Sequence, residues 1–225
     1  MRTSVYSLGG EGQPLLVIDD FWPEPDALIA DACGRPFAPI GPYYPGVRAV
    51  VPAPIVQAML RTLDPFLAQH FAHDPARATA ECFYSLVTTP PASLQPIQRL
   101  PHFDGLEAAR LAVLLYLADD DQGGTAFYRH RATGFETIDA ARLSTYDAQL
   151  RAEVARHGLP PAAYIGGDTP LFERIHLQPA ARNRLLVYRG HCLHCAHVPP
   201  AARLSADPRS GRLTINLFLG VAHGG

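Results

Sequence analysis

The segment Pro101-His102-Phe103-Asp104 sets an imidazole and a carboxylate two residues apart, and on an extended chain that spacing puts both on one face. Facing a cavity, such a pair can hold one side of a metal ion; facing water, it is a solvated loop. A denser group follows at His191-Cys192-Leu193-His194-Cys195-Ala196-His197. If that segment is extended, Cys192 and His194 share one side and His191, Cys195 and His197 the other, so it is not one compact chelate. Cys192-x-x-Cys195 is open to two further readings, half of a zinc site or a redox dithiol, although the other cysteines, Cys33 and Cys82, are isolated. The third feature is the run that starts at Arg212. Leu213, Ile215, Leu217 and Leu219 alternate with Arg212, Thr214, Asn216 and Phe218, so the polar row either meets water or lines a pocket.

A His-x-Asp, a distant histidine at a strand end and an arginine on the next strand combine into one chemistry. Two histidines and one carboxylate hold one face of non-haem Fe(II) and leave positions for O2 and a chelating cosubstrate. The cosubstrate 2-oxoglutarate chelates through its keto-acid end, and its far carboxylate requires a cationic partner such as an arginine fork. Composition removes competing chemistries. The 225 residues include no lysine, so all 19 basic residues are arginine, and a pyridoxal Schiff base, a Schiff-base aldolase and a P-loop are excluded. A formal net charge of −2 without a long basic run gives no reason to expect nucleic acid. No apolar stretch reaches the roughly 18 to 20 residues of a membrane span. The start lacks the apolar core of an export signal, and with four cysteines this points to a reducing cytoplasm.

The elements that must position these residues follow from periodicity. Residues 15–18 read as a short strand, and Pro25-Asp26 opens a helix ending near Gly34. Residues 35–54 are a Pro/Gly/Tyr-rich loop. Ile55, Met59, Leu63, Phe66 and Leu67 recur at helical spacing, which predicts a helix from 54 to about 71, interrupted or kinked at Pro65. Strands are predicted at 82–88, 111–117, 125–130, 172–178, 183–189, around His194 and at 212–219, with a helix from about Tyr146 to His157. The fold class is mainly β with flanking helices, the helical N-terminal third backing an antiparallel sheet or barrel.

The segment His102-Phe-Asp104, the run Leu114-Leu-Tyr116-Leu117 through Gly123-Gly124-Thr125-Ala-Phe127, then Leu193-His194 and Arg212-Leu-Thr214 resemble the Fe(II)/2-oxoglutarate-dependent dioxygenases of the prolyl-4-hydroxylase type. Within that group the chain is most similar to a bacterial family of short single-domain members. The resemblance covers most of residues 15–220. It implies a double-stranded β-helix, or jelly roll, with Fe(II) in its mouth and 2-oxoglutarate and O2 as cosubstrates. It further implies His102, Asp104 and His194 as metal ligands, with His191 as the fallback. Arg212 would bind the 2-oxoglutarate C5 carboxylate, with Tyr84, Gln98, Tyr116, Thr214 and Asn216 as neighbours. An acid at position 104 points to hydroxylation rather than halogenation. Two departures stand out: relatives that anchor the cosubstrate on lysine have no counterpart here, and His194 and Arg212 are unusually far apart.

The expected organisation is a single domain over 1–225, with helical support at 20–75, a β-helix core at 80–220 and a helical insert at about 139–170 that could shape the substrate site. The substrate class is left as a small molecule, amino acid or peptide, with Tyr43, Tyr44, Tyr128, Arg129, His130 and Arg131 as candidate contacts. The alternatives are a non-catalytic metal-binding jelly roll acting as sensor or accessory protein, and a zinc protein built on Cys192 and Cys195.

Overall fold

Alternating runs of β-formers separated by proline and glycine become ten strands in two antiparallel sheets, flanked by three helices, in a computed structural model that describes residues 1–74, 78–119 and 122–221. The larger sheet has the order β1 (Arg2–Leu8), β2 (Gln13–Asp19), β8 (Leu185–Arg189), β5 (Leu111–Tyr116), β10 (Leu213–Val221), β4 (Ala78–Val87), β3 (Gly46–Val50). The smaller has β7 (Phe172–Pro179), β6 (Gly124–His130) and β9 (His194–His197), and a bridge from His194 to His102 extends it by one more segment. The predicted jelly-roll class is what the structure has.

Strand parity sorts the large sheet into two faces. Leu213, Ile215, Leu217 and Leu219 join Tyr84, Leu86, Leu111, Val113 and Leu115 on the outer face, where α1 (Pro25–Cys33) and α2 (Ala53–Phe71) cover them with Leu28, Met59, Leu63 and Leu67. Each such side chain, fully removed from water, contributes about 1.5–3 kcal/mol. The N-terminal helices therefore support the sheet as expected. The helix is not interrupted at Pro65, since α2 runs continuously from Ala53 to Phe71. Pro65 lies on the exposed side, where the carbonyl left without an amide partner can turn to water.

The inner faces of the two sheets meet through Leu114, Tyr116, Phe127, Leu186 and Tyr188. The rings of Phe127 and Tyr188 cross edge to face at 5.0 Å. On its other side the small sheet is covered by α3 (Ala140–His157), whose Tyr146 packs with Ala126, Tyr128, Ile138 and Phe172. The helix begins six residues before its predicted start, because the Asp139 side chain accepts a hydrogen bond from Arg142 N at 2.9 Å and caps it. Sequence reasoning also missed β1, an exposed polar edge strand, and β3, five residues inside the segment read as a loop.

Candidate metal centre

His102 and His194 are brought together by backbone pairing. His102 N donates to His194 O and His194 N donates to His102 O, both at 2.8 Å, and the imidazole centroids are 4.4 Å apart. Two residues on, Asp104 N donates to Gly190 O at 2.7 Å, which keeps the segment extended and turns His102 and Asp104 the same way. Phe103, between them, points oppositely and packs against Tyr146 of α3. Among the described residues, one group of three His, Cys, Asp or Glu could hold a metal ion, namely His102, Asp104 and His194, with ligand atoms within 4.8 Å of one another.

The protonation pattern suits a ligand set. His194 Nδ1 lies 2.9 Å from Cys192 O, a carbonyl that can only accept, so Nδ1 carries a proton and Nε2 is the ring nitrogen left to face a metal. That Nε2 faces Asp104 Oδ2 at 3.4 Å, and Oδ2 is buried without a hydrogen-bond partner. His102 Nε2 lies 3.7 Å from Asp104 Oδ1. Around an octahedral ion with bonds of about 2.1 Å, adjacent donors sit roughly 3 Å apart, so small side-chain motions would close these gaps. One edge of the His102 ring is open, with half the side chain accessible. Even so, the surrounding protein and the adjacent His194 pull its pKa down to about 4, so the ring is neutral at pH 7. Two imidazoles and a carboxylate converging from one side fit a divalent first-row metal with open positions opposite.

Arg212 is buried on the inner face, two residues from Thr214 along β10. Its Nε donates to Gln122 O at 2.9 Å and its Nη2 to Gly124 O at 2.8 Å, leaving the rest of the fork uncommitted. The guanidinium stands 5.8 Å from the centroid of the Tyr116 ring, whose hydroxyl is 2.6 Å from Thr125 Oγ1. Thr214 Oγ1 donates to Asn216 Oδ1 at 2.7 Å. Arg212, Tyr116, Thr214 and Asn216 thus share one face, as their parity implies. Tyr84 and Gln98 do not join them. Tyr84 sits opposite Ile215 on the outer face, and its hydroxyl donates to Asp31 of α1 at 2.9 Å, because parity gives the inner face to its neighbour Ser85. Gln98 caps a short 3-10 turn and donates from Nε2 to Pro42 O at 2.9 Å.

Three residues absent from the sequence reading lie on the inner face. Arg48 of β3 pairs with Ser85, Ser85 with Thr214, and Thr214 with Tyr116, a polar row across four strands. The Arg48 guanidinium lies 4.1 Å from the centroid of the Tyr44 ring. Arg110 approaches Phe218 at 5.9 Å. Only Tyr44 among the expected substrate contacts reaches this region. His130 is fully buried and bonded to Glu153 at 2.8 Å, Tyr128 is buried in the α3 cluster, and Arg129 and Arg131 form ion pairs with Glu136 and Asp168. Helix α3 itself covers the back of the small sheet, but the loop after it returns to the rim, where Tyr164 OH donates to Thr89 O at 2.7 Å.

The Cys192/Cys195 pair does not act as a unit. Cys192 packs between the sheets and Cys195 beneath α3, both free, and burial pushes both thiols up to about 12. Such thiols are poor ligands and poor nucleophiles at neutral pH, which weighs against the zinc and dithiol readings. His191, the fallback ligand, lines a separate groove with Arg142 and Arg189. No described helix is long and apolar enough to cross a membrane.

Comparison with solved structures places this geometry in a known fold. HygX from Streptomyces hygroscopicus with iron bound is 12% identical with a TM-score of 0.53, covering 96% of this chain and 83% of that one. HygX with nickel and 2-oxoglutarate bound is 11% identical with a TM-score of 0.51 over 96% and 84%. The non-heme alpha ketoglutarate dependent epimerase SnoN from nogalamycin biosynthesis is 11% identical with a TM-score of 0.50 over 92% and 77%. At these identities the likeness is one of fold, a jelly roll. None of the curated proteins matches this sequence. The model of the family described as "Family of unknown function (DUF6445)" matches residues 1–219, and the chain belongs to that family.

Proposed function

We propose that this chain is an Fe(II)/2-oxoglutarate-dependent oxygenase that hydroxylates a C–H bond of a small molecule, amino acid or peptide, and that residues 1–225 work as one domain in the cytoplasm. The observation that carries the reading is the convergence of His102, Asp104 and His194, with Asp104 Oδ2 unpartnered and His194 fixed as an Nε2 donor. When bound, Fe(II) supplies the chemistry in which substrate C–H, 2-oxoglutarate and O2 give C–OH, succinate and CO2.

The chain's own contribution is binding and orientation. His102, Asp104 and His194 would hold the metal, and the carbonyl of Cys192 keeps the His194 ring aimed and in the required tautomer. Arg212, fixed by Gln122 O and Gly124 O, would direct its free N–H groups to the C5 carboxylate of 2-oxoglutarate. Tyr116, Thr214 and Asn216 would line that cosubstrate. Phe127 and Tyr188, packed tilted and edge-on against His194, shield the buried ring from water.

Anaerobic addition of Fe(II) and 2-oxoglutarate is expected to give a metal-to-ligand charge-transfer band that is absent in His102→Ala. Without a band and without succinate the proposal falls. A band with no succinate on any substrate would instead identify a non-catalytic metal-binding jelly roll.

A further inference from the structure

Arg48 reaches the inner face from the edge strand β3, and its Nε is buried with no hydrogen-bond partner. It has no ion pair among the described residues, and its guanidinium is hemmed in by the rings of Tyr44, Phe83 and Phe218 at 4.1, 5.6 and 5.7 Å. The hydroxyls beside it are equally uncommitted. Tyr44 OH lies next to Ser85 Oγ, yet neither makes a hydrogen bond of good geometry, and both are buried. Three buried polar groups without partners, side by side on the inner face, are costly unless a ligand completes them, and a guanidinium with two hydroxyls is complementary to a carboxylate. Desolvation already weakens the Arg48 cation, which an anion would relieve.

The position relative to the triad is informative. The charge of Arg48 acts on both Asp104 and His102, yet Arg48 forms no ion pair with Asp104, so a gap separates guanidinium from carboxylate. Arg48 is also distinct from Arg212. The two stand two strands apart, about 10 Å, and are offset by two residues along the sheet, a separation suited to two different carboxylates. Arg110, with a buried Nε also unpartnered, adds positive charge on the Phe218 side.

We propose that Arg48, Tyr44 and Ser85 form a carboxylate-binding subsite for the primary substrate, making the substrate a small organic acid held with its reacting carbon toward His102, Asp104 and His194. The inference rests on the oxygenase reading for the identity of the neighbouring centre. It is tested by calorimetric titration of protein loaded with Mn(II) and 2-oxoglutarate, using hexanoate and 3-phenylpropionate against their carboxamides. The acids are expected to bind at least tenfold more tightly than the amides. Arg48→Gln should abolish the difference while leaving 2-oxoglutarate affinity within twofold, and Arg48→Lys, which keeps the charge and guards against a folding failure of the first variant, should retain part of it. Equal binding of acid and amide, or no binding of either, overturns the subsite. So does a tenfold loss of 2-oxoglutarate affinity in Arg48→Gln, which would give Arg48 to the cosubstrate. Failure of the oxygenase reading shows separately, as absent metal-dependent 2-oxoglutarate binding in the unaltered protein, and acid-over-amide discrimination without metal then still decides the subsite.

Discussion

The two faces of the large sheet are built from the same strands yet follow opposite rules. On the outer face, Leu213, Ile215, Leu217 and Leu219 are fully buried under α1 and α2 and leave no polar atom to satisfy. On the inner face, one residue out of step, Arg212, Thr214 and Asn216 share the surface with Arg48, Ser85 and Tyr116, and two buried polar atoms, Arg48 Nε and Ser85 Oγ, lack partners. The period of two lets one strand carry stability on one side and chemistry on the other. A substitution on either face should therefore leave the other face's property nearly untouched.

The sharpest test on the outer side is Leu217→Ala. The cavity it leaves should cost about 2–5 kcal/mol, seen as a lower denaturation midpoint, with metal affinity unchanged. A loss of metal binding in this variant would show that the faces are coupled. On the inner side, His102→Ala should lower metal affinity by more than about 100-fold, a loss beyond that of a supporting partner, while the melting temperature of the metal-free protein stays close to the parent value. Equilibrium dialysis and thermal denaturation measure the two together. Arg212→Lys keeps the charge but loses the planar fork, so 2-oxoglutarate binding should weaken by about tenfold with metal affinity intact.

The smallest effect is in pH. Burial holds the imidazolium forms of His73, His191 and His197 below the ordinary histidine range, and His102 falls to about 4. Between pH 4 and 6.5 the unfolded chain therefore binds more protons than the folded one, so stability is full above about 6.5 and declines as pH falls toward 4. Melting temperatures of the metal-free protein between pH 7.5 and 5 should decline, with a shallower slope in His102→Gln.

The sequence made one half of this comparison readable. The alternation from Arg212 to Leu219 announces both faces of β10, and the two-residue step from His102 to Asp104 announces one side of a site. It did not announce that Ser85, rather than Tyr84, belongs inside, because CFYSLVT is buried on both faces and has no polar alternation to set its phase. Arg48 was equally hidden. Its strand is five residues long, sits among prolines, glycines and tyrosines, and owes its existence to pairing with β4 rather than to any local pattern. Gln98 was misplaced for a related reason: capping a short turn uses its amide locally, which sequence spacing alone does not reveal.

The pair of backbone hydrogen bonds between His102 and His194 joins segments about 90 residues apart. Closing a loop of that length costs about 4 kcal/mol in chain entropy, so the bridge belongs among the late events of folding. A ligand that binds only the finished bridge acts after the folding barrier. A metal held there is thus expected to slow unfolding while leaving the refolding rate nearly unchanged, so that its removal shortens the lifetime of the native state without altering how quickly that state is reached.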